Sequence, residues 1–394
     1  MWVQLSRQRG LARGVFASLL VSLLVAPPLA ARADPWQLAL DTLLYSDDDN
    51  VIVITPQAAV RYRFDQDGSE VWAAGAIDAI SAASVDVVSH ATNGFDEVRY
   101  EANLGAAWAF GDFVPSLSYR GSYEPDYVSN GGRVGLTVDL AGGDSTVSGG
   151  YGFAYDTVGR VGTPGDNFSE RLLTHSADIG LTQVLSPTTL IRGVYTLTAQ
   201  DGYMEKPYRY VPLFDQAGID AAEADGVRLD LDSFDAYRLA LRPPEEVPDT
   251  RYRHAFAARF MHFLEESRVA LRLDYQFYFD DWGVTAHILE PALHFGLSDE
   301  VRLETSLRGY VQSQASFWER TYVVDASAPI PRYRSVDRDL SGYVTGSVNA
   351  RVEWAPEPFT LYVDAMVAYT RYFEFLYRDH LFTMMVIAGA RVEL

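Results

Sequence analysis

A run of alternating residues between positions 268 and 298 constrains the fold of this chain more than any other feature. Every second position in its first half is apolar, namely Val269, Leu271, Leu273, Tyr275, Phe277 and Phe279. Most of the positions between them are charged or polar, and a period of two places the two sets on opposite faces of a β-strand. Asp281, Trp282 and Gly283 interrupt the pattern before a second run of similar length. The stretch therefore predicts an antiparallel hairpin.

Similar alternation recurs along the chain and predicts about sixteen strands. A soluble sandwich or a soluble barrel would show the same period, so alternation alone leaves those folds open. The connections favour a transmembrane antiparallel barrel, because short turns on one side alternate with longer loops on the other. The long connections are predicted at 81–94, 124–130, 157–170, 200–250, 314–337 and 372–380, and the tight turn at 281–283 is the exception among them. An even strand number places both ends of the barrel on the short, periplasmic side.

The first segment has the pattern of an export signal. Arg7, Arg9 and Arg13 precede an apolar run over 15–25, and Ala31-Arg32-Ala33 follows with small residues around a cleavage point. We expect a signal peptide over 1–33 and a single barrel domain over 34–394. No later stretch is uniformly apolar over the roughly 18 residues that a membrane helix needs, so a closed barrel is the remaining route into a bilayer.

Composition excludes several classes of function. The chain has no Cys, which rules out disulfides, thiolate zinc sites, covalent haem attachment and a Cys nucleophile. Its formal net charge of -21 makes nucleic acid an unsuitable partner. We therefore expect no cofactor and no nucleic-acid ligand.

Five motifs resemble those of a domain-of-unknown-function family of Gram-negative outer-membrane barrels. They are DAISAAS over 78–84, SYRGSYEPDY over 118–127, RYRHA over 251–255, FDDWG over 279–283 and QSQASFW over 312–318. The resemblance covers most of the chain in matching order and implies a location in the outer membrane and a barrel fold, but no activity. Ala82 departs from the family pattern, which more often has Gly there.

Two of these motifs are interpreted as structural. Asp78 and Ser81, with Ser84 beyond them, are expected to form a turn at a strand end, where a carboxylate or hydroxyl accepts from backbone N–H groups. Gly283 permits positive φ, and Trp282 is expected in the interfacial aromatic belt. Asp280 and Asp281 suggest a cation site, but no further ligand stands at a diagnostic spacing.

Two acidic stretches are interpreted as solvated loops, with divalent cations that bridge lipopolysaccharide phosphates as the alternative. One is Asp47-Asp48-Asp49 and the other is the acidic part of the long loop, namely Asp215, Asp220, Glu223, Asp225, Asp230, Asp232 and Asp235. Neither fits an EF-hand. The long loop over 200–250 also carries many aromatic residues and prolines, so it is expected to fold into the pore or to cap it.

The charged faces of the strands carry the functional hypothesis. The residues predicted to line the lumen are Arg99, Glu101, Arg120, Asp139, Arg272, Asp274, Arg302, Glu304, Arg308, Arg351, Glu353 and Asp364. In a water-filled lumen, opposed rows of charge would orient polar solutes. In a narrow or plugged lumen, the same residues would be structural ion pairs.

The preferred function is a pore for diffusion of small polar solutes. The alternatives are a non-conducting scaffold that holds a lipoprotein or redox partner, and an outer-membrane hydrolase. An enzyme is not expected, because no G-x-S-x-G motif occurs and His254 and His262 are too far apart on one strand to share a metal. Expected partners are outer-membrane lipid, lipopolysaccharide and the barrel-assembly machinery.

Overall fold

Sixteen long antiparallel strands form one closed barrel, and the first strand pairs with the last. The computed structural model describes residues 35–65, 68–82, 95–160, 163–325 and 329–394, so the predicted export signal lies outside the described residues. The predicted fold class and strand number are confirmed. The barrel strands are β1 (Trp36–Asp47), β2 (Val51–Arg63), β3 (Glu70–Ala82), β4 (Phe95–Ala107), β5 (Phe113–Glu124), β6 (Tyr127–Leu140), β7 (Ser145–Val158), β8 (Glu170–Ser186), β9 (Thr189–Gly202), β11 (Thr250–Leu264), β12 (Val269–Asp280), β13 (Thr285–Gly296), β14 (Val301–Gln312), β16 (Tyr343–Trp354), β17 (Phe359–Tyr372) and β18 (His380–Glu393), while β10 (Leu213–Phe214) and β15 (Tyr322–Val323) pair outside the barrel.

One end of the barrel, the turn end, carries short connections and both ends of the barrel sequence. Between β6 and β7, Gly142 and Gly143 adopt φ of 70° and 96°, a conformation that glycine takes without strain. After β2, the Asp65 carboxylate accepts from the N–H groups of Gly68 and Ser69 at 3.0 and 2.9 Å. Local turn chemistry thus sets where the strands reverse.

The opposite end, the cap end, carries the long connections with three exceptions, and the first is the β1–β2 turn over 48–50. The hairpin turn over 281–284 is short, as predicted. The predicted long connection over 124–130 is wrong, because β5 continues to Glu124 and β6 begins at Tyr127. Tyr127 and Ser129 both donate to the Asp156 carboxylate of β7, which extends the sheet into that segment.

The two faces of the sheet differ as the alternation predicts. Large apolar side chains stay exposed on one face, as at Leu273 and Tyr275 of β12. The other face carries charged pairs, and near the cap end its side chains are buried against the loops, as at Tyr372. Loops that cover the mouth of a barrel contact its inner face, so the charged face is the inner one and the apolar face points outward.

The connections at the cap end fold into one structure, which we call the cap. It consists of residues 203–249, 313–325, 329–342 and 373–379, and it contains α1 (Gln216–Ala224), α2 (Phe234–Tyr237) and the parallel pair β10–β15. The Asp215 carboxylate accepts from the N–H of Gly218 at 2.7 Å and caps the N-terminus of α1. Within the described part of the chain, no helix is both long and apolar enough to cross a membrane.

A cluster of buried apolar side chains packs inside the cap and against the adjoining strand ends. Its members are Val211, Leu213, Phe214, Ala222, Leu229, Phe234, Val247, Trp282, Val284, Ala315, Trp318, Tyr322, Val336, Leu340, Tyr372, Phe375, Leu376, Tyr377 and Leu381. The expected position of Trp282 in an interfacial belt is therefore wrong, because its ring is buried against the cap and its Nε1 donates to the Thr250 carbonyl at 2.8 Å. The cap is a small folded unit with its own core.

Candidate functional site: the capped lumen

The cap crosses the mouth of the barrel. Tyr208 donates to the Asp126 carboxylate, in the β5–β6 turn, at 2.6 Å. The next residue, Arg209, contacts Asp337 at 2.5 Å in the β14–β16 connection. In the ring of sixteen strands these two connections lie opposite each other. One short segment of the cap therefore links two connections that start from opposite sides of the barrel.

The cap is also fastened where the barrel closes between β1 and β18. Asp49 of the β1–β2 turn is 1% exposed and contacts Arg378 at 2.9 Å and Arg338 at 3.2 Å. Asp48 accepts from the N–H of Phe382 at 2.9 Å. The interpretation of Asp47-Asp48-Asp49 as a solvated loop is thus wrong for Asp49, whose charge is buried and paired.

A second buried ionic group holds the middle of the cap. Arg209 contacts Asp337 and also Glu245, at 3.4 Å, and the hydroxyl of Ser335 donates to Glu245 at 2.6 Å. Burial raises the pKa of Glu245, although the positive charge of Arg209 opposes that shift. Burial acts in the same direction on Asp337, but the positive charges of Arg209 and Lys206 together with hydrogen bonds from Arg209 and the Asp339 N–H outweigh it and hold the pKa of Asp337 below its usual value. The Arg209 guanidinium thus pairs closely with the Asp337 carboxylate and more loosely with the Glu245 carboxylate.

Asp78 and Asp280 hold the barrel wall just below the cap. Asp78 is an inward residue of β3 and accepts from Thr55 at 2.5 Å and from Arg99 Nε at 2.6 Å. The expected turn at Asp78 is therefore wrong, because the residue pairs strands within the wall. Ser81 lies in β3, and Ser84 lies outside the described residues. Asp280 accepts from Arg251, from the Tyr278 hydroxyl and from the Val284 N–H, so the suggested cation site is taken up by an arginine.

The predicted lumen residues lie on the inner face, where most form ion pairs or hydrogen bonds between neighbouring strands. Arg272 has the densest set, with Glu290 and Glu304 each at 2.9 Å and Asp274 at 3.2 Å. The remaining contacts are Arg99 with Glu124, Arg120 with Glu101, Arg302 and Arg351 with Glu353, Arg308 with Glu290, Asp139 with Thr146, and Asp364 with Asn349. The charges pair along the wall, not across the lumen.

The lumen below the cap is open to solvent. The side chains of Arg120 and Arg302 point inward and are each 65% exposed. An open pocket of about 540 Å³ lies at the turn end, with Arg302, Arg351 and His294 in its wall. Apolar side chains do not fill this volume, because the buried apolar cluster of the described residues belongs to the cap and the strand ends. The barrel thus encloses a polar, hydrated space under a folded cover.

The sequence did not identify the residues that fasten the cap. Asp126, Glu245 and Asp337 come from three connections, and nothing in their spacing predicts that they meet at one cover. The available signal was the composition of the long loop, whose aromatic residues and prolines are unusual for a bare linker. Arg251 and Asp280 were recognised as motif residues, but their contact depends on the β11–β12 register.

The comparisons with known proteins give a family and a set of distant fold likenesses. A family model described as "Protein of unknown function (DUF3570)" matches residues 82–356. The resemblance seen in the sequence motifs is thus confirmed. No curated protein matches the chain.

Three solved structures illustrate the fold likenesses. A "Bacterial polysaccharide outer membrane secretin" is similar with a TM-score of 0.48 and 8% identity, covering 92% of this chain and 100% of that one. CdiB from Acinetobacter baumannii is similar with a TM-score of 0.47 and 6% identity, and the match covers 92% of this chain and 61% of that one. "Outer-membrane expressed OmpT of Vibrio cholerae" is similar with a TM-score of 0.42 and 9% identity, and the match covers 93% of this chain and 99% of that one.

Proposed function

This chain belongs to the DUF3570 family of proteins of unknown function, and from that premise we propose that it is an outer-membrane channel for small polar solutes, with a lumen that is covered by the cap. The turn end would face the periplasm and the cap the outside of a Gram-negative cell, after export by the predicted signal peptide. Lipid, lipopolysaccharide and the barrel-assembly machinery are the proposed partners. The proposal assigns no catalytic residue.

The outward face supports the membrane location. Aromatic residues are exposed toward the turn end, as at Trp36, Trp108 and Phe359, and again near the cap end, as at Tyr252 and Tyr369. Along β17, Phe359 and Tyr369 are ten residues apart, which at strand rise and a tilt of about 40° corresponds to a height of about 25 Å. This height suits the apolar band of an outer-membrane barrel.

The solvent-exposed arginines of the lumen carry the transport proposal. A barrel that served only as a membrane anchor would not need a hydrated interior lined by charges of both signs. Pairing between neighbouring strands holds Arg120 and Arg302 beside the wall, where their side chains stay largely exposed. Small polar solutes would therefore meet alternating positive and negative groups along the wall.

The cap favours a second candidate, a non-conducting barrel that presents its cap to a partner such as a lipoprotein or redox protein. A cover that links connections from opposite sides of the barrel restricts passage. The two candidates differ in one property, which is whether the lumen conducts once the cap is removed.

Planar-bilayer recording tests this difference. The wild type is compared with a variant in which residues 203–249 are replaced by a short Gly/Ser linker, after a gel has shown that the variant still forms a compact barrel. A channel predicts small or infrequent steps for the wild type and larger, stable steps for the variant. If neither protein shows conductance at any voltage, the channel proposal is refuted and the scaffold proposal remains.

Charge substitutions in the same recordings test whether the charged residues of the barrel wall set the ion preference of the lumen. Arg302→Ala and Arg308→Ala are expected to shift permeability toward cations, because each removes a positive charge from the lumen. Arg332→Ala, on the exposed surface of the cap, is the matched control and is expected to leave ion preference unchanged. Equal behaviour of all three variants would contradict a role for the wall in selecting solutes.

A further inference from the structure

Arg253 is an inward residue of β11 whose charge the barrel does not neutralise. In the sheet register it stands opposite Asp280 of β12 and Thr198 of β9. The carboxylate of Asp280 is already used, however, because it accepts from Arg251 Nε at 2.9 Å, from the Tyr278 hydroxyl at 2.7 Å and from the Val284 N–H at 2.9 Å. Two guanidinium groups therefore lie beside one carboxylate, and only Arg251 forms an ion pair with it.

The orphaned donor is buried. Arg253 Nε is shielded from solvent and has no hydrogen-bond partner among the described residues, where Arg253 also forms no ion pair with Asp or Glu. A buried donor on a charged group is costly to leave unpaired, and native proteins rarely do so without a ligand or ordered water. Arg192, another inward arginine, lacks an ion pair too, but its side chain is exposed at the turn end and solvent satisfies it.

The neighbouring strand offers a second unused group. Gln200 of β9 stands opposite Arg251 in the register, and its Oε1 is buried without a donor. Its Nε2 lies 3.3 Å from the Thr174 hydroxyl of β8. The two ends of an amide have nearly the same shape, so a flipped Gln200 would accept from Thr174 and place its N–H groups where the unpaired Oε1 now lies.

Small residues leave room beside Arg253. The next inward positions on β11 are Ala255 and Ala257, which Thr196 and Val194 face from β9, while Thr198 faces Arg253 itself. The nearest carboxylate along the wall in that direction is Asp178, which Arg133 already neutralises. This part of the wall, which we call the basin, thus combines threonine hydroxyl groups, an amide with one unpaired end and a guanidinium that forms no ion pair among the described residues.

We propose that this basin, formed by Arg253, Gln200, Thr174, Thr196 and Thr198, binds the oxyanion group of a small polar solute, a carboxylate or a phosphate. The planar guanidinium donates two parallel hydrogen bonds to such a group, and the hydroxyls and the amide satisfy its remaining lone pairs. The inference names the substrate class of the proposed channel and rests on its hydrated lumen, but it does not require conduction.

Equilibrium dialysis of the full-length protein in detergent micelles tests the site, with radiolabelled inorganic phosphate and acetate as separate probes. We expect saturable binding of at least one probe by the wild type. Arg253→Gln is expected to weaken it by about tenfold or more, the usual loss for one charge-assisted contact. Arg192→Gln is the matched control, since it removes an inward arginine that is exposed, and binding should stay at the wild-type level.

The outcomes separate a built site from general attraction to a positive lumen. Absence of saturable binding of both probes, or equal weakening by Arg253→Gln and Arg192→Gln, would overturn the proposal. If Arg253→Gln yields no compact barrel, Thr198→Val replaces it, with weaker binding expected and unchanged binding counting against the site. Binding that persists in a protein silent in bilayers would refute the channel alone.

Discussion

At the scale of single residues, Asp280 joins the barrel wall to the cap. Its carboxylate accepts hydrogen bonds from Arg251, from the Tyr278 hydroxyl and from the Val284 N–H. Arg251 in turn lies over the Trp282 ring, 4.2 Å from its centre. One buried acid thus fixes the guanidinium, and the guanidinium supports the indole that packs against the cap core.

Removing this carboxylate should be strongly destabilising. Asp280→Ala leaves Arg251 buried without its partner, which costs about 3–5 kcal/mol. The midpoint of urea unfolding, followed by Trp fluorescence, is expected to fall. Asp299→Ala is the control, because Asp299 faces Arg268 while 95% exposed, and its unfolding midpoint should not move. A similar midpoint for both variants would show that Asp280 does not hold the wall.

At the scale of elements, the cap carries carboxyl groups whose protonation is linked to its stability. Burial raises the pKa of Glu205, Glu245 and Asp339. A raised pKa in the folded state means that the folded cap binds these protons more readily than the unfolded one. The cap therefore gains stability as pH falls from neutral toward the raised values. It loses stability only at lower pH, where Asp337 becomes protonated and releases Arg209.

Limited proteolysis of the cap should show this dependence. Cleavage within 203–249 is expected to be slower at about pH 5 than at about pH 8. Glu245→Gln, which keeps the shape and loses the charge, should flatten the difference. Glu246→Gln is the matched control, because Glu246 is a partly exposed neighbour paired with Arg334, and it should keep the wild-type dependence. Faster cleavage at the lower pH in the wild type would contradict the linkage.

The barrel strands and a folded long loop over 200–250 could be predicted from the sequence, whereas the core of the cap could not. Alternation placed Arg272 and Asp274 on the opposite side of the strand from Leu273, and the predicted run begins one residue before β12 does at Val269. Tyr278 is an aromatic residue on the mostly polar inner face of β12, and the cap explains it, because Tyr278 packs against the cap core. Val211, Leu213 and Phe214 follow no period, since a core assembled from separate loops depends on tertiary contacts that local pattern does not encode.

At the scale of the whole molecule, closure depends on the pairing of β1 with β18. Eleven residue pairs, from Gln37 with Glu393 to Asp47 with Thr383, join the two strands. Every strand edge of the barrel is paired as a result. A ring without free edges unfolds only by breaking an entire strand pairing, so it should resist detergent until it is heated.

Gel mobility tests the closure. Unheated protein in dodecyl sulfate should migrate as a compact form that boiling converts to a slower one. A chain that ends at Asp379 lacks β18 and exposes the edges of β1 and β17, so we expect it to show no compact form and to aggregate. A deletion of the three residues 265–267, in the β11–β12 turn, serves as the control and should keep the compact band. A compact, heat-sensitive band from the chain without β18 would be incompatible with closure through this pair.

The meeting of β1 and β18 also means that the ring has no intrinsic first strand. Gln37 donates to the Glu393 carboxylate at 3.3 Å, so the two ends of the barrel sequence lie side by side. A linker of a few residues would join them, and new ends opened within 265–268 would give a circularly permuted chain with the same sixteen pairings. Because the strand order is cyclic, the same fold is compatible with a chain that begins at a different strand.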